Sequence, residues 1–385
     1  MRKIIKLFKK PYRFFKDIIY NREKVFNLRK KYKSFHNSNK STAILIGFSK
    51  WKDWMYEYLS DYNVIFLGYN PKVSKILINE IGHFNSVEVF VWSYKHPRYL
   101  LEFCEAHNIS VTFVEDGFVR SIGLGVEKCK PLSLVFDKEA MHFDFSKPSE
   151  LENILLNYDF DSDRELMCRA KFLLDKIRFE RITKYNDEVT KSQLNKDLGI
   201  DKHKKLVLVL GQVEDDLSIK HGMKEHKTTD QMIRIAMNEN PGALICYRKH
   251  PDLKVSHKAQ YSSVESLKNI CIIIPEHFSL YECFSVADKV YTMTSLAGFE
   301  AVLNGLDVKL LGCPFYAGWG FTEDASDNVA LERRKRILSP LQVFAASYLL
   351  YPKYFNTNNN LPISAEDAIN LIIEEKSKIS SSNYL

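Results

Sequence analysis

No pair of cysteines in this chain is spaced CxxC, and no His/Cys cluster has metal-ligand spacing, so zinc ribbons and dithiol redox sites are excluded. The seven cysteines are odd in number and most sit in apolar stretches, such as "LLEFCEAHN" around Cys104 and "NICIIIP" around Cys271. That is the pattern of reduced, buried thiols, not of a disulfide framework. Glycine is sparse, 15 in 385 residues, and forms neither GxGxxG nor a Walker loop, which counts against dinucleotide and P-loop sites. No apolar run approaches the roughly 20 residues that cross a bilayer, and no signal peptide is expected.

Positive charge is missing where a nucleic-acid surface would need it. Residues 1–36 hold 13 Lys and Arg against two acids, Asp17 and Glu23, a net of +11. The remainder has 42 basic and 46 acidic residues, so the body is net −4 although the chain is +7, and no nucleic-acid partner is expected. The basic stretch "MRKIIKLFKKPYRFFKDIIYNREK" sets Ile4, Ile5, Phe8, Tyr12, Phe15, Ile18 and Ile19 near helical spacing, with Pro11 as a break. A basic amphipathic helix with aromatics suits an anionic membrane surface; a helix packed on the body with a solvated basic side is the plainer alternative. The lopsided charge favours the membrane and predicts a cytoplasmic protein, peripheral on the inner face of the cytoplasmic membrane.

What the chain does have is alternation. "TAILIGF" (42–48), "NVIFLGY" (63–69), "VEVFVWS" (87–93) and "ISVTFVE" (109–115) read as buried strands separated by helical stretches, among them "KVSKILINEIGHF". Residues 150–195 are charged and helical, a connector. Strands then resume at 205–211, 243–249, 269–275, 289–295 and 307–312. Strands alternating with helices imply βαβ units and parallel sheets. The predicted organisation is a membrane-associating segment (1–36), an N-terminal Rossmann-like acceptor domain with its connector (37–195), a C-terminal Rossmann-like domain (196–335) and C-terminal helices (336–385), with helix expected through "SPLQVFAASYLLYPKYF". This α/β outline is that of a GT-B glycosyltransferase and of other two-domain α/β proteins.

Four clusters follow strand candidates, where such sheets bind ligands. Glu115-Asp116-Gly117, with Arg120 and Ser121, crowds two carboxylates at a strand end; repulsion poises one as a base, or Asp116 simply caps a helix. "GQVEDDLSIKHG" (211–222) offers Glu214, Asp215 and Asp216 beside Lys220 and His221, as nucleophile, base or metal ligands, or as a solvated acidic loop. "YRKHPD" (247–252) delivers Arg248, Lys249 and His250 to one strand end, an anion site suited to phosphate. "TMTSLAGFEAVLNG" (292–305) puts Thr294 and Ser295 where a strand hands over to a helix, a phosphate-binding or capping position, with Glu300 in reach of a ribose. Acids opposite a phosphate-binding group point to group transfer from a nucleotide-linked donor.

These motifs, with "PLSLVFD" (131–137), "KYN" (184–186) and "PFYAGWGFTED" (314–324), occur over residues 109–325 in the order seen in the bacterial capsular polysaccharide synthesis family. The chain resembles that family's retaining β-Kdo transferases, as a member with one catalytic module; Kdo is 3-deoxy-D-manno-oct-2-ulosonic acid. The resemblance implies a GT-B fold, CMP-Kdo as donor, and a capsule or lipopolysaccharide glycan or glycolipid as acceptor. It implies Asp216 as the nucleophile of a covalent intermediate; double displacement then needs a second carboxylate to deprotonate the acceptor, read as Glu115 with Asp116 as its alternative. By similarity to bacterial sialyltransferases, His250, Thr294 and Ser295 contact the CMP phosphate and Glu300 the ribose. Gln212 joins these donor-binding residues, and Arg120 or Lys249 pairs with the Kdo carboxylate. No metal or other cofactor is expected, since CMP leaves as a monophosphate. Other polysaccharide assembly proteins are possible partners. Competing readings are a transferase using CMP-sialic acid or another CMP-ulosonic acid, and a non-catalytic scaffold of a capsule assembly complex.

Overall fold

A computed structural model describes residues 39–68, 86–123, 128–186, 203–251, 267–324 and 329–382, together with Leu194 and Gly199. The expected basic helix of residues 1–36 and the expected helix over 72–84 lie outside the described residues. The chain forms two compact units, residues 1–114 and 115–385.

In the first unit the alternating pattern gives β1 (Thr42–Ile46), α1 (Met55–Tyr58), β2 (Asn63–Phe66), β3 (Val87–Trp92), α2 (Tyr99–Ala106) and β4 (Ser110–Asp116), whose last two residues belong to the second unit. β1 runs parallel to β2 and β3, and β3 to β4, in the order β2-β1-β3-β4. All five residues of β1 are buried, as a central strand covered on both faces requires. The chain steps from β1 out to β2, then crosses back over β1 to β3. Such a reversal opens a crevice beyond the carboxyl ends of the two strands it separates.

The second unit holds β5 (Ser133–Asp137), α3 (Glu150–Asn157), α4 (Arg164–Phe179), β6 (Leu206–Leu210), α5 (Leu217–Gly222), α6 (Thr229–Glu239), β7 (Leu244–Arg248), β8 (Ile272–Ile273), α7 (Leu280–Phe284), β9 (Lys289–Thr292), α8 (Leu296–Leu303), β10 (Asp307–Leu310), β11 (Glu323–Asp324), α9 (Val329–Arg333), α10 (Pro340–Phe344), β12 (Pro352–Phe355), β13 (Pro362–Ile363) and α11 (Ala365–Ser382). Six of its strands form a parallel sheet in the order β8-β7-β6-β9-β10-β11. β6, "LVLVL", is buried along its whole length and packs its valines on Met232, Ile233 and Ala236 of α6. Each such aliphatic side chain contributes about 2 kcal/mol on burial. Strand order reverses here between β6 and β9.

The fold is therefore α/β with two sheets built mainly of parallel strands, as the alternation predicts. The C-terminal region departs from the all-helical expectation. α10 and the π-helical segment Ala345–Leu350 are followed by β12, antiparallel to β5 at Pro352–Val135 and Lys353–Leu134, and by β13. Pro352 has no N–H to extend a helix, and its place at the start of a strand needs none. Among the described residues no helix is long and apolar enough to cross a membrane.

Candidate active site

Three neighbouring strand ends, those of β9, β6 and β7, carry most of the residues singled out in the second half of the chain. Gly211 follows β6 and donates its N–H to the Arg248 carbonyl at 2.8 Å; a Cβ on it would stand 2.6 Å from the Tyr247 Oη, so only glycine fits. Gln212 comes next and is buried. Its Oε1 accepts the Thr294 N–H at 2.8 Å, and its Nε2 donates to Thr294 Oγ1 at 3.0 Å. One amide thus clamps the loop after β6 to the loop after β9, across the point where strand order reverses. Thr294 Oγ1 also donates to Ser218 Oγ at 3.3 Å. Ser295 caps α8, its Oγ accepting the Ala297 N–H at 3.2 Å. Gly298 lets the first turn of α8 lie against Tyr316, whose Oη would be 2.3 Å from an added Cβ.

The acidic triplet after β6 is divided by its surroundings. Glu214 is 2% exposed and accepts the Thr229 N–H at 2.8 Å, so it anchors the start of α6. Asp215 and Asp216 are exposed. Asp216 caps α5, Oδ1 accepting the Ser218 N–H at 2.8 Å, which sets it two residues from the hydroxyl bonded to Thr294. Lys249 and His250 are half-buried after β7, with Lys249 Nζ 3.7 Å from Glu276. Burial lowers the pKa of His221, further along α5, with Lys220 acting the same way and Asp144 opposing.

β4 ends on the carboxylate pair. Glu115 Oε1 accepts the Asp116 N–H at 3.0 Å. Gly117 donates its own N–H to the Ser133 carbonyl at 2.9 Å, and a Cβ there would stand 2.2 Å from Ser133 Oγ. Arg120, one of the two candidates with Lys249 for the donor carboxylate, is 1% exposed. Its Nε pairs with Asp116 Oδ2 at 2.7 Å, Nη1 donates to Ser121 Oγ at 2.7 Å, and Nη2 to the Cys129 carbonyl at 2.8 Å. Asp116 is 17% exposed, so breaking the pair costs less than the roughly 3–5 kcal/mol of a fully buried one.

The third participant is the "KYN" loop. The Lys184 carbonyl accepts the N–H groups of Arg120 and Ser121 at 3.0 and 3.3 Å, and the Tyr185 carbonyl accepts that of Gly123 at 2.8 Å. Asn186 closes the loop, its Nδ2 donating to the carbonyls of Ser121 and Thr183. Glu300, expected at a ribose, is buried on α8 and accepts the Lys184 N–H at 3.0 Å. Burial opposes the charge on the Lys184 ammonium, but Tyr185, Asp116 and Glu115 outweigh it and raise the pKa, against the effect of Arg120. The same ammonium adds to burial in holding His142 down at about 3, so that imidazole is neutral.

Hydrogen bonds therefore join Gln212, Ser218 and Thr294 in one group and Asp116, Arg120, Ser121 and Lys184 in another, and α8 carries both Ser295 and Glu300. Lys184 and Asn186 were not given roles from sequence; the "KYN" triplet was a family marker, and that was the one available signal. Among the described residues no group of three or more His, Cys, Asp or Glu could hold a metal ion.

A six-stranded parallel sheet with a polar clamp at its switch point defines an α/β protein with a ligand crevice of the doubly wound kind. The chain belongs to the capsule polysaccharide biosynthesis protein family, whose model matches residues 88–354. It is similar to the lipopolysaccharide-processing protein LpsZ of Rhizobium meliloti, 33% identical over 345 residues, 88% of this chain and 76% of LpsZ. It is 34% identical over 321 residues to the capsule polysaccharide modification protein LipA of Neisseria meningitidis serogroup B, 83% of this chain but only 43% of LipA. Among solved structures, the β-Kdo 2,4 transferase of Thermosulfurimonas dismutans KpsC superposes with a TM-score of 0.71 at 32% identity, covering 86% of this chain and 97% of that one.

Proposed function

We propose that the protein is a glycosyltransferase that moves Kdo from CMP-Kdo, with retention, onto a capsule or lipopolysaccharide glycan. The observation that carries this reading is the similarity to a β-Kdo transferase along nearly the whole of that transferase, at an identity of 32%. The strand-end geometry supports it. Gln212, Thr294 and Ser295 present an amide, hydroxyls and a helix start at the switch point, where a nucleotide phosphate is held without a metal. Lys249 adds positive charge after β7 and His250 an imidazole, and Lys249 is the better partner for the Kdo carboxylate because Arg120 is occupied with Asp116.

In this reading Asp216 attacks the anomeric carbon C2 of Kdo, the C2–O bond to phosphate breaks, and CMP leaves with the electron pair. The acceptor hydroxyl then gives its proton to a base and attacks C2, and Asp216 departs as carboxylate. Two inversions give retention. Glu115 is the base, since Asp116 is paired with Arg120. The Lys184 ammonium and the Glu115 and Asp116 carboxylates attract one another, which favours a negative charge on the base. The basic stretch 1–36, with its net +11, would hold the enzyme peripherally on the inner face of the cytoplasmic membrane, near other polysaccharide assembly proteins.

The test is intact mass after incubation with CMP-Kdo alone, with CMP-sialic acid in parallel. A Kdo-sized increment that is absent in Asp216→Ala supports donor, mechanism and nucleophile together. CMP release with Kdo but no increment in any variant would remove the covalent step, and an increment from CMP-sialic acid alone would replace the donor.

A further inference from the structure

The first unit has its own reversal of strand order, between β1 and β3, and the loops leaving those strands hold a cluster that the transfer chemistry does not use. Three of the chain's four tryptophans gather there around one lysine. Lys52 Nζ lies 3.1 Å from the Trp92 ring centroid, 4.7 Å from that of Trp51 and 5.6 Å from that of Trp54. Lys52 itself is 5% exposed, so its ammonium is fixed against indole faces that stabilise a cation.

Two donors of the same loops have no hydrogen-bond partner among the described residues: Ser93 Oγ and Trp54 Nε1, on residues 1% and 6% exposed. Buried donors are nearly always satisfied, so two orphans in one loop cluster call for an explanation. The backbone is unusual at the same place. Ser93 has φ +51°, a left-handed conformation uncommon for a residue with a side chain and one that clusters at binding sites. Gly47 has φ +80°, and a Cβ on it would stand 2.5 Å from the Lys95 carbonyl oxygen, so the loops after β1 and β3 are packed against each other. Trp51 is half-buried, with Lys50 exposed beside it in sequence and Lys95 exposed two residues after Ser93. Ordinary core packing accounts for the aromatic contacts, but not for the orphaned donors or the strained serine.

We propose that this crevice binds the anionic end of a sugar. Carboxylate or phosphate oxygens take the Ser93 hydroxyl, the Trp54 indole N–H and the Lys52 ammonium, and the sugar ring lies on Trp51. Aromatic faces with a few convergent donors are what carbohydrate-sized ligands require. That the sugar is the acceptor's rests on the transferase reading; the existence of the site does not.

Because three of four tryptophans lie in the cluster, the emission of the full chain reports on it directly. The probes are the methyl β-glycoside of Kdo for a carboxylate, glycerol 1-phosphate for a phosphate, and methyl β-glucoside as the neutral sugar. The expected result is a saturable emission change at millimolar concentration with an anionic probe and none with the glucoside. Which anionic probe titrates identifies the source of the charge. Lys52→Met and Ser93→Gly each weaken the titration about tenfold, the loss of one hydrogen bond to a charged group. Should Lys52→Met fail to fold by circular dichroism, Ser93→Gly carries the test, because glycine accepts φ +51° without strain. No saturable change with either anionic probe, or an unaltered midpoint in Ser93→Gly, overturns the proposal. Native protein that turns over CMP-Kdo yet shows no probe binding sinks the site alone; probe binding without donor turnover sinks the transferase reading alone.

Discussion

The two strand-order reversals meet the same topological condition with opposite chemistry. Between β6 and β9, the Gln212 amide is matched on both its oxygen and its nitrogen by Thr294, and Thr294 is matched again by Ser218. Between β1 and β3, Ser93 Oγ and Trp54 Nε1 have no hydrogen-bond partner among the described residues, and Ser93 sits at positive φ. A satisfied network is stable with or without ligand, and it presents the same face each time. An unsatisfied, strained one is completed by what binds it, so its free state carries the cost. Folding and binding thus pull together at the first crevice and apart at the second.

Four substitutions break or sharpen that contrast. The largest effect belongs to Asp216→Asn. Asparagine caps a helix as well as aspartate, so the melting temperature stays put while transfer falls by about a thousandfold or more, as loss of a nucleophile does. Retained transfer would leave Asp216 as a cap only. Next is Gln212→Ala, which strands the Thr294 N–H and leaves the Thr294 hydroxyl with Ser218 Oγ alone; it lowers stability by about 1–3 kcal/mol in denaturant titration and raises the donor KM. A normal KM with lowered stability would make the clamp purely structural. Third, Lys184→Met removes the positive charge near Glu115 and Asp116. The base then protonates more readily, so the acid limb of the transfer–pH profile moves to higher pH, by up to about one unit, and Lys184→Arg moves it back. An unmoved limb in Lys184→Met would detach Lys184 from the base. The smallest effect is Ser93→Gly, which relieves a left-handed side chain and deletes an orphaned hydroxyl. Its melting temperature should not fall, and a gain of up to about 1 kcal/mol is expected. A clear loss would mean that the serine is held there by packing.

Much of the fold was legible because its strands are uninterrupted apolar runs. "LVLVL" of β6 and "TAILI" of β1 can only be buried, and both proved central. β12 was hidden because "PKYF" is four residues long and continues a helical pattern, and its partner β5 lies more than 200 residues earlier. The site was legible by residue type and obscure by role. Glu214 and Asp216 are indistinguishable as sequence, yet one is buried under Thr229 and the other is exposed on a helix cap. Arg120 reads as a ligand for an anion until its three nitrogens are seen to be occupied within its own loop. Glu300 bonds to a residue 116 positions away, and periodicity carries no information over that distance.

That last bond gives α8 the character of a ruler. Ser295 stands at its cap and Glu300 five residues on, about 7.5 Å along the axis. The spacing between the helix start and the loop that holds Lys184 is thereby set by a count of residues. Changes of side chain along α8 leave that count alone. Inserting or deleting a single residue between the two would swing Glu300 about 100° around the helix and away from Lys184. Outside Ser295, Gly298 and Glu300, this stretch of the chain can therefore vary in spelling but not in length.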